Sequence, residues 1–100
     1  RIINECSIST SDGVKVADVA WASNEFIDEF GFKTPYDKSP EICVEIVSPS
    51  NSKEEILQKI DLYLAKGALE VWIVTEEGET KIFNNRGEIK RSDLVKKFKL

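Results

Sequence analysis

Two periods of apolar and polar positions run along this chain, and the switches between them mark out its elements. Ile2 to Ile8, with Ile2, Ile3 and Ile8 as apolar content, predicts a strand. Ser11-Asp12-Gly13 follows as a turn, because Asp-Gly readily takes the positive φ angles of a tight hairpin. Val14 to Trp21 alternates and predicts the antiparallel partner. Asn24 is placed to cap a short helix through Phe26, Ile27 and Phe30, closed by Gly31. Phe32 to Pro40, punctuated by Pro35 and Pro40, predicts a loop. Ile42 to Val47 is an almost unbroken apolar run, as expected of a central strand covered on both faces.

The strongest helix signal comes next. Ser52-Lys53-Glu54-Glu55 fits a capping box, Ile56, Ile60, Tyr63 and Leu64 recur at helical spacing, and Gly67 ends the run. Leu69 to Thr75 is rich in strand formers. Glu77-Gly78 turns into Lys81-Ile82-Phe83, Asn85-Arg86-Gly87 turns again, and the tail holds Ile89, Leu94, Val95, Phe98 and Leu100. Strand, helix and strand from Ile42 to Val74 form a parallel pair with a right-handed crossover. The expected fold is therefore α/β (α+β): a mixed sheet combining an antiparallel hairpin with a parallel strand–helix–strand unit, in one domain over residues 1–100.

Composition narrows the chemistry more than the fold. The chain has 100 residues, a formal charge of −4 and no histidine. Ser-His-Asp and Cys-His nucleophiles and His-based zinc sites are thereby excluded within this chain. Its two cysteines, Cys6 and Cys43, lack metal-ligand spacing and fit a reduced, cytoplasmic setting. No stretch approaches the ~20 apolar residues of a membrane span. The acidic balance argues against a dedicated nucleic-acid binder but not against an enzyme that meets phosphate through a local patch and a metal ion. Lys90, Arg91, Lys96, Lys97 and Lys99 gather near the C-terminus as a solvated tail. The start at Arg1 is expected to be the interior of a longer protein.

Glu45 is the anomaly. A carboxylate inside a buried strand is costly unless something pairs with it. In the neighbouring strand Asp18 interrupts a face of Val14, Val16, Ala20 and Ala22. Two carboxylates meeting in a dry site repel unless a cation sits between them, and Mg²⁺ (or Mn²⁺) accepts one or two carboxylates while keeping waters. Lys59 borders the apolar stripe of the long helix. From Ser52 to Lys59 is roughly 10 Å of helix, and from Glu45 to Ser48 roughly 10 Å of strand, so Lys59 returns level with Glu45. Tyr63 lies one turn beyond it.

Val16-Ala17-Asp18-Val19-Ala20, Pro40-Glu41-Ile42-Cys43-Val44-Glu45-Ile46-Val47-Ser48-Pro49-Ser50, Lys59-Ile60-Asp61-Leu62-Tyr63 and Gly67-Ala68-Leu69-Glu70-Val71-Trp72-Ile73-Val74 carry a family likeness. The chain resembles the PD-(D/E)XK, restriction-endonuclease-like superfamily, and within it the Uma-type branch. The resemblance spans about Val14 to Phe83. It implies a metal-dependent nuclease acting on nucleic acid, DNA foremost, with Asp18 and Glu45 as metal ligands, and Lys59 and Tyr63 completing the catalytic set. A carbonyl of the central strand, such as that of Ile46, would add to the ion's shell.

The superfamily's usual lysine follows the acid by two positions. Here that position is Val47, and Lys59 on the helix takes its place. Where the branch commonly has proline before the aspartate, this chain has Ala17. The resemblance also implies an N-terminal helix that this chain lacks, leaving the face of the first hairpin in need of cover and full activity dependent on the parent protein. It accommodates a homodimer, since many enzymes that cut duplexes act in pairs. Two other readings stay open: a non-catalytic nuclease-fold module for binding or assembly, and a structural interaction domain with Trp21, Trp72 and Phe83 as core or interface.

Overall fold

A computed structural model describes residues 1–98. Lys99 and Leu100, the last members of the basic and apolar tail sets, lie outside the described residues. In chain order the elements are β1 (Ile2–Thr10), β2 (Gly13–Trp21), α1 (Asn24–Phe30), β3 (Ile42–Val47), α2 (Lys53–Ala65), β4 (Glu70–Thr75), β5 (Thr80–Asn84), β6 (Gly87–Ile89) and α3 (Asp93–Lys97). The six strands form one mixed sheet in sequence order, with β3 and β4 parallel and every other neighbour antiparallel. This is the expected α/β architecture. No helix among the described residues is long and apolar enough to cross a membrane.

The core lies on one face of the sheet. Cys43 from β3, Val71 and Ile73 from β4, Phe26 from α1, and Ile60 and Tyr63 from α2 belong to one buried cluster. The opposite face carries Ile42, Glu70 and Trp72, and α3 packs there, with Leu94 buried and the Phe98 ring 4.6 Å from that of Trp21. α3 and β6 are more structure than the tail's sparse apolar pattern predicts. α2 forms as its capping box dictates: the Ser52 hydroxyl accepts from the Glu55 amide at 3.1 Å. The cap of α1, however, is Ser23 rather than Asn24, its hydroxyl accepting from the Phe26 amide at 3.0 Å.

Glu70 explains why α3 stays in place. Its buried carboxylate accepts from the Trp72 indole (2.9 Å), the Ser92 hydroxyl (2.6 Å) and the amides of Asp93 (2.9 Å) and Leu94 (3.2 Å). Ser92 in turn caps α3. Glu41, just before β3, does the same for α1, accepting from both the amide and hydroxyl of Ser23. One buried carboxylate, Glu70, and one half-buried one, Glu41, thus anchor two helices at the N-terminal ends of the parallel pair.

The face expected for Asp18 needs correcting. Asp18 does share a side with Ala20 and Ala22, but Val14 and Val16 are exposed, and Ala17 is buried in their stead with Cys6 and Ile8. Alternation therefore slips within the hairpin. The cause is in β1: Glu5 has φ 50°, in the left-handed region. Pairing runs through Asn4↔Val19 and Cys6↔Ala17, while Glu5 and Asp18 between them do not pair. A left-handed residue turns the following strand over, which brings both halves of the hairpin onto the core.

That strain is testable, because Glu5 is exposed and its side chain contributes little else. Glu5→Gly should stabilise the fold by up to about 1 kcal/mol, since glycine takes positive φ without the Cβ clash. Glu5→Val should destabilise it by about 1–2 kcal/mol, because a β-branched residue resists that conformation. Urea unfolding of the three proteins checks the order.

Candidate active site

The site begins where β2 and β3 separate. Their pairing runs Trp21↔Ile42, Ala20↔Cys43, Val19↔Val44 and then stops. Asp18 and Glu45 occupy the next position, and their side chains replace the missing backbone bonds. The Asp18 amide donates to Glu45 Oε2 at 3.3 Å, and the Ile46 amide donates to Asp18 Oδ2 at 2.8 Å. Each carboxylate is thus fixed by the backbone of the other's strand. The remaining Asp18 oxygen has no protein donor among the described residues.

α2 supplies the rest. Lys59 Nζ donates to Glu45 Oε1 at 2.6 Å, and the Tyr63 hydroxyl donates to the same oxygen at 3.1 Å. The two lie four positions apart on one helix face, so a single oxygen receives both. Glu45 is 4% exposed and Tyr63 is fully buried, whereas the Lys59 side chain is 39% exposed. Tyr63 therefore holds the carboxylate from the core side, while Lys59 reaches it from the solvent side. Asp18, Glu45, Lys59, Val47, Asn51 and Glu55 line one cleft of ≈ 230 Å³. Tyr63 lies behind it.

Electrostatics follow from this packing. Burial pushes the Glu45 carboxyl above its ordinary range; Lys59 pulls it back, and Asp18 pushes it up further. Burial, reinforced by Glu45, raises the Tyr63 phenol, so this group remains a hydrogen-bond donor. The cysteines take no part: both are free and buried, with Cys6 pushed up to about 11 and Cys43 to about 12, chiefly by burial.

Among the described residues no group of three or more His, Cys, Asp or Glu is placed to hold a metal ion. The cleft instead offers two carboxylates with Glu45 Oε2 and an uncommitted Asp18 oxygen, a hard-oxygen set. Such a set fits Mg²⁺ or Mn²⁺, which bind through one or two carboxylates and retain waters, and it does not fit zinc.

Asn51 and Glu55 were not evident as cleft residues. Both have ordinary loop and cap duties: Asn51 Oδ1 accepts from the Ser48 amide at 2.9 Å, and the Glu55 carboxylate accepts from the Ser52 hydroxyl at 3.2 Å. The spacing of Glu55, four residues before Lys59, was the available signal, since it lays both along one side of α2, whereas Asn51 lies in the loop before the helix. Val47 lines the cleft where a strand-borne lysine would stand, and the ammonium group comes from α2 instead.

Comparison with known proteins agrees with this architecture. A solved structure from Anabaena variabilis, described as a putative nuclease belonging to DUF820, superposes with a TM-score of 0.61 at 18% identity, covering 85% of this chain and 55% of that one. At that identity the likeness concerns the fold, and the present chain spans about half the length of that protein. No curated protein sequence matches. The profile of the Uma2 family, described as "Putative restriction endonuclease", matches residues 2–93. With nearly its whole length matched, the chain belongs to the Uma2 family.

Proposed function

We propose that this chain is the core of a metal-dependent nuclease that hydrolyses phosphodiester bonds in nucleic acid, with DNA as the first candidate substrate. The observation that carries the reading is the meeting of Asp18 and Glu45 at the unpaired end of β2 and β3, with Lys59 bonded to Glu45. Asp18 and Glu45 would hold Mg²⁺ or Mn²⁺, which when bound supplies a Lewis acid for a phosphate and acidifies a coordinated water. The protein's own part is electrostatic and positional. The Ile46 amide fixes Asp18 and the Asp18 amide steadies Glu45, so neither carboxylate must reorganise. Lys59 offsets negative charge on the solvent side of the cleft, where charge develops on a phosphoryl group. Tyr63 keeps Glu45 from turning into the core, acting as a positioning residue.

A second reading keeps the fold without catalysis, as a binding or assembly module. One observation favours it: Glu45 Oε1 is already satisfied by Lys59 and Tyr63. Metal binding separates the two. In the nuclease reading, millimolar Mg²⁺ or Mn²⁺ raises the melting temperature by several degrees, since about 1 kcal/mol of linkage corresponds to roughly 4–8 °C in a domain of this size. The Asp18→Asn/Glu45→Gln double variant should show no such shift. An equal shift in both proteins contradicts the assigned ligands.

Cleavage is the direct test. Plasmid nicking by the protein should depend on Mg²⁺ or Mn²⁺ and be lost in Glu45→Gln. Lys59→Ala should lower the rate about 10²–10³-fold, as for a removed electrostatic stabiliser. Tyr63→Phe, which keeps the ring and removes one second-sphere bond, should lower it about tenfold. Metal-independent nicking, or full activity in Glu45→Gln, refutes the proposal.

The raised carboxyl of Glu45 also gives stability a pH signature in metal-free buffer. A carboxyl that holds its proton more tightly folded than unfolded contributes fully at low pH and loses that contribution as pH rises through its folded value. Glu45→Gln does not titrate there. Its stability relative to wild type should therefore increase from about pH 4 to about pH 8, as measured by urea unfolding at each pH. A difference constant across that range would mean that Glu45 titrates normally.

A further inference from the structure

The carboxylate cleft opens at one side into a second groove. Val47, Asn51, Ile56 and Ile73 line both. This groove, ≈ 420 Å³, runs between α2 and β5 and is floored by Ile60, Ile73 and Phe83. Lys81 stands opposite Ile73 and Phe83 opposite Val71, on the sheet face that carries α2. Phe83 packs against the core with part of its ring open to solvent, and Lys53 and Lys81 are exposed on the rim.

The geometry points to this groove as the seat of an unpaired stretch of substrate strand next to the bond being cut. A nucleobase lies on Phe83 and the aliphatic floor, and Lys53 and Lys81 meet the flanking phosphates. The inference rests on the nuclease reading and names the form of its substrate. Three observations carry it. A polymer cut in the cleft must leave it in both directions, and this groove is continuous with it. The rim bears two cations in a chain whose net charge is −4, which complements phosphate. The floor is apolar and aromatic, a surface that suits the exposed face of an unpaired base and has no counterpart on a duplex, whose bases are turned inward. Aromatic platforms flanked by cations are how single strands are commonly held. The volume also lies within the roughly 300–1,000 Å³ of ordinary ligand sites.

The test is fluorescence anisotropy with a labelled mixed-sequence single strand of roughly 12 nucleotides, within the length such sites span. A matching duplex serves as the second probe, with Ca²⁺ in place of Mg²⁺ and gels confirming that neither is cut. Phe83→Leu keeps the apolar volume and removes the aromatic face. It should weaken single-strand binding at least about fivefold and leave duplex binding unchanged. Lys53→Glu/Lys81→Glu leaves the core untouched and should lower the salt dependence by about 1.4 in log–log slope, or ~0.7 for each lost phosphate contact.

The idea is overturned if both variants bind the strand as wild type does, or if they lose strand and duplex equally. It is also overturned if Phe83→Leu abolishes self-association in sedimentation, which would make a second copy the occupant. Plasmid cleavage by the wild-type protein is followed in parallel. Cleavage with unaltered binding in both variants removes the groove and keeps the nuclease. Selective strand-binding losses without any cleavage by wild type remove the nuclease and keep the groove as a strand-binding site.

Discussion

Keeping the Glu45 carboxylate inside the sheet is the constraint on which the rest of this structure turns. A buried carboxylate needs donors, and the strand alone has none to spare. β2 meets the need by parting from β3 at Asp18, so that one backbone amide turns to Glu45. α2 meets it by returning Lys59 and Tyr63 to one oxygen. The left-handed Glu5 then lets the outer half of the hairpin follow the core after β2 has left its neighbour. The cleft is the space that this parting leaves behind.

Glu41 and Glu70 show by contrast what a purely structural carboxylate looks like here. Glu70 is buried and has four protein donors, three of them at the start of α3 and the fourth the Trp72 indole on its own strand. Glu41 is bound by Ser23 at the start of α1. Both stand at the N-terminal ends of the parallel pair, away from the cleft. Glu45 differs in facing a solvent-reached cation and a second carboxylate. Burial of an acid is therefore no signature of chemistry in this fold. An acid that remains in contact with an open cleft is the more informative feature.

Much of this was legible in the sequence because it was written in period and count. Alternation in the first hairpin, the capping box at Ser52 and the run Ile42–Val47 each specify an element directly. The Glu45–Lys59 pair follows from matching helix rise to strand rise. Tyr63 came from family likeness rather than from pattern, since its place on the apolar stripe is equally that of a core residue. The slip at Glu5 carried no signal, because a glutamate at positive φ looks like any other strand glutamate. Ser23 lost to Asn24 as the expected cap because neighbouring cap formers differ only in the backbone path they lie on. α3 was missed because its stability comes from Glu70, more than 20 residues earlier in the chain.

The Glu45–Lys59 bond spans 14 residues: the end of a strand, a short turn and two turns of helix. None of these parts has slack, because the strand is paired on its β4 side and the helix is fixed by its cap. The segment is in effect a ruler. Adding one residue within the helix rotates everything beyond it by about 100°, so either the lysine leaves the carboxylate or Ile60 and Tyr63 leave the core. A lysine two places along the same strand would be immune to such changes. By carrying its cation on α2, this chain ties the charge balance of the cleft to the length of its crossover, and variation in length is left to the segments outside it, such as the loop between α1 and β3.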